Sequence, residues 1–272
     1  MLSGFWSRTK SGCVLIVLAA AGTGLAHAAE LATSQQIAAR IETAPQEHPL
    51  IPALKLGDAA LQKAAGLQDY EGLFIKKEYV GNTFVEQKMV IRFRREPMSV
   101  YLKFVEPSPG RKVMYVQGQN GGQIQVKETG LASLVGAISV DPHGSLAMSE
   151  SKYPITMIGM ENMTRRLLAE WLDATDRSDI SVKFYPNAKI GNVECQVVES
   201  THTDAIKSKG IHRARLYIER DSGLPIRIQE YGFPRQAGTE PPLVSDYCYL
   251  NIRPNIGLTA RHFDPGSPQS EF

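Results

Sequence analysis

Residues 70–94 read YEGLFIKKEYVGNTFVEQKMVIRFR, and this stretch decides the fold. Tyr70–Val80 and Thr83–Arg94 are rich in aromatic and β-branched residues and flank Gly81-Asn82, a two-residue connection of hairpin type. Successive side chains of a strand point to opposite faces. In the second strand Val85, Met89, Ile91 and Phe93 therefore share one face, and Glu86, Lys88, Arg92 and Arg94 share the other. The pattern continues downstream. Ser99–Val105 alternates Val100, Leu102 and Phe104 with Tyr101 and Lys103, and Lys112–Gln117 with Gln123–Val126 forms another hairpin about Asn120-Gly121-Gly122. A sheet with one continuous apolar face requires a cover of helices, of ligand, or of both.

Helices are expected on either side of this run. Ser34–Glu42 places Ile37, Ala38 and Ile41 on one side, with Ser34 as the expected cap. Ile51–Leu67 repeats apolar residues at helical spacing, and Pro52 suits its first turn. A further helix from Glu161 to Leu172 carries Leu167, Leu168, Trp171 and Leu172 inward and Arg165 and Arg166 outward. Five more strands follow: Ile180–Tyr185, Val193–Thr201, His212–Arg220, Leu224–Tyr231 and Leu243–Ile252. Strands following strands with helices segregated predict an α+β fold. Its strongly curved, mostly antiparallel sheet of about nine to eleven strands forms a half-open barrel, with helices over the concave face. The apolar insertion Leu131–Met148, rich in glycine and small residues, is the candidate for a mobile cover.

The ends read as processing and fraying. Arg8 and Lys10, the apolar stretch Cys13–Leu25 and the small residues Ala26-His27-Ala28 predict an export signal over residues 1–28, cut after Ala28. Residues 29–47 form an N-terminal helical segment, 48–264 a single domain, and 265–272 a flexible tail. The expected location is periplasmic or secreted, with no transmembrane segment after cleavage. Arg8 and Lys10 account for the whole excess of 30 basic over 28 acidic residues, so the processed chain is neutral. Neutrality excludes a global pull toward nucleic acid or anionic lipid and leaves local patches or apolar surface as the means of binding. Lys76, Lys77, Lys88, Arg92, Arg94, Arg111 and Lys112 interleave with Glu78, Glu86, Glu96 and Glu106, and read as a solvated face of mixed charge. Cys195 and Cys248 sit among apolar strand residues, either as two buried thiols or as a disulfide.

No cluster announces catalysis. His48, His143, His202, His212 and His262 are scattered without metal-ligand spacing, and Asp141-Pro142-His143-Gly144 reads as a turn. Ser133 and Ser139 lack a nucleophile elbow, and the glycines from Gly118 to Gly122 belong to their hairpin. No metal, cofactor or enzymatic activity is expected.

Tyr70-Glu71-Gly72, Arg95-Glu96-Pro97, Tyr101, the Asp221-Ser222-Gly223-Leu224-Pro225 hairpin and the closing Asn251, Asn255, Leu258 and Phe263 resemble the LolA lipoprotein carriers. A closer resemblance, over His48 to Pro265, is to the bacterial family known as domain of unknown function 1571. It rests on Arg94-Arg95-Glu96-Pro97-Met98-Ser99-Val100-Tyr101, Gly144-Ser145-Leu146-Ala147-Met148, Tyr153-Pro154-Ile155 and Leu250-Asn251. The LolA resemblance implies an apolar cavity for acyl chains beneath a helical lid. It also implies a lid-tethering arginine at Arg95, although Glu96 stands between Arg95 and Pro97 here. The expected ligand-binding residues are Phe74, Met89, Ile91, Phe93, Leu102, Phe104, Leu134, Leu216, Ile218 and Ile228. The expected function is that of a monomeric, non-enzymatic carrier for lipid or lipidated protein. The alternative is an envelope module that meets a protein partner and whose sheet face is filled core.

Overall fold

A computed structural model describes residues 31–236 and 238–272; the export signal and its cut after Ala28 lie outside the described residues. The first β block comprises β1 (Asp69–Val80), β2 (Thr83–Arg94), β3 (Ser99–Glu106), β4 (Lys112–Val116), β5 (Ile124–Lys127) and β6 (Ala137–Val140). The second comprises β7 (Ile180–Ile190), β8 (Val193–His202), β9 (Ile211–Glu219), β10 (Pro225–Gly232) and β11 (Leu243–Pro254). All eleven join one antiparallel sheet in the order β6-β5-β4-β3-β2-β1-β11-β10-β9-β8-β7. Each block is a meander of chain neighbours, and the first and last strands join them. The sheet stays open, because β6 and β7 lie at its two ends. The α+β half-barrel expectation holds. Strand β6 adds to the reading: pairing of Lys127 with Ala137 through Ile124 with Val140 fixes it at the edge.

Four helices accompany the sheet: α1 (Ser34–Thr43), α2 (Ile51–Ala65), the short α3 (Ser145–Met148) and α4 (Met160–Asp173). The cap of α1 is Thr33 and not Ser34. Thr33 Oγ1 accepts the Gln36 N–H at 3.2 Å, and the Gln36 side chain accepts the Thr33 N–H at 2.7 Å, a reciprocal box that satisfies two otherwise unpaired donors. In α4, Met160, Met163, Leu167, Leu168 and Trp171 recur at helical spacing and are buried. Gly57 of α2 permits close approach at the helix crossing, since a Cβ there would sit 2.5 Å from Leu168 and 3.4 Å from Leu216. No described helix is long and apolar enough to cross a membrane.

Arg166 is not outward-facing as its sequence position suggests. It lies one turn from Met163, at the edge of the buried stripe, and donates to Glu230 at 2.7 Å and Glu170 at 2.9 Å. Burial opposes the Arg166 charge, but the facing carboxylates outweigh it and hold the pKa above its usual value. The segment after Asp264, expected to be loose, is docked on the convex face. Leu258, Phe263 and Phe272 pack on Tyr101, Met114 and Val116, and Glu271 meets Arg92 at 2.9 Å. Arg92 and Arg94 are therefore not solvated: Arg92 also holds Glu71 at 2.8 Å, and Arg94 lies over Phe263. Cys195 and Cys248 are free and buried, and burial pushes the Cys248 thiol up to about 12.

His202 closes the far end of the core. The Trp171 indole N–H donates to Ser200 Oγ at 3.0 Å, and Ser200 Oγ lies 3.3 Å from His202 Nε2. His202 Nδ1 is buried without a partner among the described residues. Burial, reinforced by Arg177, pushes the His202 imidazole down to about 4. The unfolded chain, in which a histidine titrates near ~6.5, binds a proton that the folded chain refuses. The contribution of His202 is thus fully present above pH ~6.5 and is lost as the pH falls toward its folded value, on the order of 3 kcal/mol. Urea unfolding from pH 7 to pH 4 is expected to show a shallower loss for His202→Gln than for the wild type. Parallel curves would remove His202 as the cause.

Candidate functional site

The alternation that begins at Tyr70 brings one inward row from each strand of the first block. Phe74 stands opposite Met89, Met89 opposite Phe104, Leu102 opposite Val113, and Val113 opposite Val126. Helix α4 and the segment before it cover one end of this surface. Gly159, at φ +116°, presses its backbone against the Phe93 ring and donates its N–H to the Tyr249 hydroxyl at 3.1 Å. Toward the other end the cover is the irregular stretch from Pro142 to Ile158, and a cavity of about 290 Å³ remains beneath it. Its sheet wall includes Phe74, Met89, Leu102, Phe104, Val113 and Val126; its roof includes Pro142, Leu146, Ala147, Tyr153, Ile155 and Met157. Phe74 stacks on Tyr249 with ring centroids 4.6 Å apart, which fixes the inner wall.

Charged groups close one end. Lys76 and Glu78 follow Phe74 at intervals of two and so face inward, where both are buried. Their side chains pair at 3.0 Å. Both also bond to the cover, and Glu78 to the neighbouring strand β11 as well. Lys76 Nζ donates to the Glu150 carbonyl at 2.7 Å, and Glu78 accepts the Lys152 N–H at 3.1 Å and the Tyr247 hydroxyl. Burial lowers the Lys76 pKa, and the Glu78 charge offsets part of that. Arg111 reaches Glu150 at 2.8 Å and Glu128 at 2.9 Å from the neighbouring strands. Five of these side chains, Lys76, Glu78, Arg111, Glu128 and Glu150, line the cavity. A cover with only one turn of helix and one 3-10 turn of its own is thus fastened by charge-assisted bonds, which are stronger than neutral ones.

Lys76, Glu78 and Arg111 correct the reading of a solvated charged face: parity puts them inside, while Lys77 and Glu86 pair outside at 2.7 Å. They are charged site residues that sequence reasoning missed, and the signal was the even spacing of Lys76 and Glu78 from Phe74 and of Arg111 from Val113.

Of the residues expected to bind ligand, Phe74, Met89, Leu102 and Phe104 meet at the cavity. Ile91 and Phe93 are buried core, Phe93 stacked on Tyr70 at 5.0 Å and covered by Gly159. Leu216, Ile218 and Ile228 are also core; Leu216 lies against α2 and α4, which occupy that half of the concave face. Leu134 is almost fully exposed on the 3-10 turn Gly130–Val135. Within the expected cover Leu131–Met148, only the part from Ile138 onward lines the cavity, joined by residues 150–159. Asp141 accepts the backbone N–H of His143 at 2.9 Å, as a turn requires. No group of three or more His, Cys, Asp or Glu is arranged to hold a metal among the described residues.

Arg95 joins the two large helices. It donates to the Leu67 carbonyl at 2.7 Å and the Ala64 carbonyl at 2.9 Å, at the C-terminal end of α2, and to Glu161 in the first turn of α4. A guanidinium on terminal carbonyls satisfies unpaired acceptors and opposes the helix dipole.

Removing one member of a buried ion pair costs about 3–5 kcal/mol, because the other charge is left uncompensated. Glu78→Gln and Lys76→Met are each expected to destabilise the protein on that scale, and the double variant by clearly less than their sum. Denaturant unfolding of the four proteins measures this coupling; additive losses would show that the pair is not coupled.

Comparison with known proteins gives the following. The chain is similar to LprF from Mycobacterium bovis, with 13% identity and a TM-score of 0.45 over 78% of this chain and 97% of that one. It is also similar to MucB, at 13% identity and a TM-score of 0.44, covering 79% of this chain; it spans only 63% of MucB. A LolA-superfamily protein from Nitrosomonas europaea aligns at 12% identity and a TM-score of 0.32, over 78% and 97% of the two chains. No curated protein matches in sequence. The sequence model of the proteins of unknown function termed DUF1571 matches residues 67–272, the whole sheet with α3 and α4, and the chain belongs to that family.

Proposed function

We propose that the protein is a non-enzymatic binding protein for lipid or lipidated protein outside the cytoplasm, with an acyl chain held between the first β block and the 142–158 cover. The observation that carries this reading is the cavity itself. Its sheet wall is aliphatic and aromatic side chains from β1 to β6. Lys76, Glu78, Arg111, Glu128 and Glu150 gather at one end, with Asn162 and Arg166 contributed by α4, which suits an amphiphile with a single apolar tail. Its size, about 290 Å³, lies at the lower limit of ligand cavities, which run to about 1,000 Å³. That space suits part of one chain; several chains require the cover to move. About ten buried methylenes contribute roughly 8 kcal/mol, so release also depends on opening the cover. Export by the sequence at residues 1–28 belongs to the same reading.

Uptake of a fluorescent fatty acid, followed by native mass spectrometry of the loaded protein, tests the proposal. Leu102→Trp fills the cavity and is expected to weaken uptake by at least about tenfold, the effect of losing one or two buried methylenes or more. Ile228→Val, in the filled half, is expected to leave affinity unchanged. No uptake by the wild type, or equal uptake by Leu102→Trp, would refute the site.

A further inference from the structure

We propose that the rim of the half-barrel at the β5–β6 connection docks on an anionic lipid bilayer and seats its apolar tip among the acyl chains. The tip is the 3-10 turn Gly130–Val135, where Leu131 is 87% exposed, Leu134 84% and Val135 77%. No charged residue occurs between Glu128 and Asp141. The turn is a built element: Ser133 Oγ donates to the Gly130 carbonyl at 2.6 Å, and the Gly136 N–H donates to the Ser133 carbonyl at 3.1 Å. Gly130 at φ +66° and Gly136 at φ +79° supply the left-handed backbone at its two ends. Three large aliphatic side chains on a projecting turn present apolar surface to water with nothing packed against it. That arrangement suits insertion into a soft apolar phase better than contact with a flat protein face.

Two further observations point to a bilayer. The first is continuity. Ile138, on β6 just after the turn, and Leu146 are both exposed and both line the cavity, so apolar surface is shared between the rim and the cavity wall. The second is charge. Lys103 stands opposite Lys112, and Lys112 opposite Lys127, so three ammonium groups form a row across β3, β4 and β5 at the base of the turn. Like charges directly opposite one another destabilise a sheet. The C-terminal segment lies along the row: the Glu271 carboxylate is 3.6 Å from Lys103, Lys112 donates to the Glu271 carbonyl, and Lys127 donates to Phe272 O at 3.3 Å. Three ammonium groups thus face one side-chain carboxylate among the described residues. Such a row next to an apolar tip matches a surface of anionic headgroups over hydrocarbon. The β1–β2 hairpin leaves the sheet at the same end, since Lys88 pairs with Glu106 just before it projects. It carries Tyr79 and Phe84, both half exposed with ring centroids 5.2 Å apart, and aromatic rings of this kind favour the membrane interface.

This proposal concerns the rim and does not depend on what the cavity holds. The chain from Leu31, a compact unit with its own core, is mixed with vesicles of phosphatidylcholine containing about 30% phosphatidylglycerol, or of phosphatidylcholine alone, and sedimented. Binding to the anionic vesicles is expected, weaker in ~0.5 M salt than in ~0.05 M. Leu131→Asp/Leu134→Asp is expected to lose at least about tenfold in vesicle affinity while keeping its circular dichroism and thermal transition. Lys103→Gln/Lys112→Gln/Lys127→Gln is expected to lose the preference for anionic vesicles. In Leu134→Trp the added indole is expected to shift its emission to the blue on vesicles, against a constant background from buried Trp171. Leu102→Trp is expected to bind vesicles like the wild type whether or not lipid uptake survives, which separates this proposal from the cavity reading. A wild type that stays in the supernatant, a Leu131→Asp/Leu134→Asp variant that sediments normally, or unchanged Leu134→Trp emission would each overturn it.

Discussion

The pairing of β1 with β11 is the contact on which the rest of the molecule depends. Each β block is a local meander, and strands so far apart in sequence meet side by side only at this seam. Through it Phe74 stacks on Tyr249, Glu78 accepts the Tyr247 hydroxyl, and on the opposite face Glu71 meets Arg253. Closing so long a loop costs chain entropy, though the cost grows only with the logarithm of loop length. Once the seam forms, both apolar faces become one surface that α2 and α4 can cover. The cavity's inner wall and the fastening of its cover both lie against the seam.

The helices do not extend over the whole of that surface, and this mismatch creates the site. Helices α2 and α4 cover β10, and Leu216 on β9 beneath them is buried completely. Across the first block, cover beyond Phe93 passes to a segment whose only regular elements between Asp141 and Gly159 are one turn of helix and one 3-10 turn. Such a segment leaves backbone groups that need partners. Lys76 and Glu78 supply two of them, at Glu150 and Lys152, from the sheet below. The cover is therefore held at chosen points by polar bonds and elsewhere by apolar contact from Ala147, Tyr153, Ile155 and Ile158. A helix packed ridge into groove would leave no comparable space.

The fold was legible because its signals are local and repetitive. Alternation at Met89, Ile91 and Phe93, the Gly81-Asn82 turn and the helical spacing in α4 each identify an element without knowledge of the rest. Alternation also assigns every residue to a face, and the inward set from Phe74 to Phe104 is correct as a set. It does not say what lies above each member. Phe93 and Met89 differ by four residues on one strand, yet one sits under Gly159 and the other under open space. That difference depends on where α4 begins relative to the sheet, which is a long-range property. Lys76 and Glu78 show the opposite limit: their charge points to solvent, while their parity with Phe74 points inward, and parity holds. Buried charges occur where each can find its partner, and here the partners come from residues 150–152, far along the chain.

The same reasoning bears on the proposed lipid binding, which must be both tight and reversible. Apolar contacts lose strength gradually with separation, whereas charge-assisted bonds are worth about 1.5–3 kcal/mol each and depend steeply on geometry. A cover fastened by Lys76, Glu78 and Arg111 therefore has a defined closed position, which the packing of Tyr153, Ile155 and Ile158 on the core supports. These fasteners stand at the end of the sheet where the exposed β1–β2 and β5–β6 tips also leave it, as the pairing of Lys103, Lys112 and Lys127 places them. Placing the fasteners at the rim and the aliphatic wall behind them puts the polar cost of opening where headgroups or water can meet it. The apolar interior then needs to be exposed only along the short path past Ile138 and Leu146.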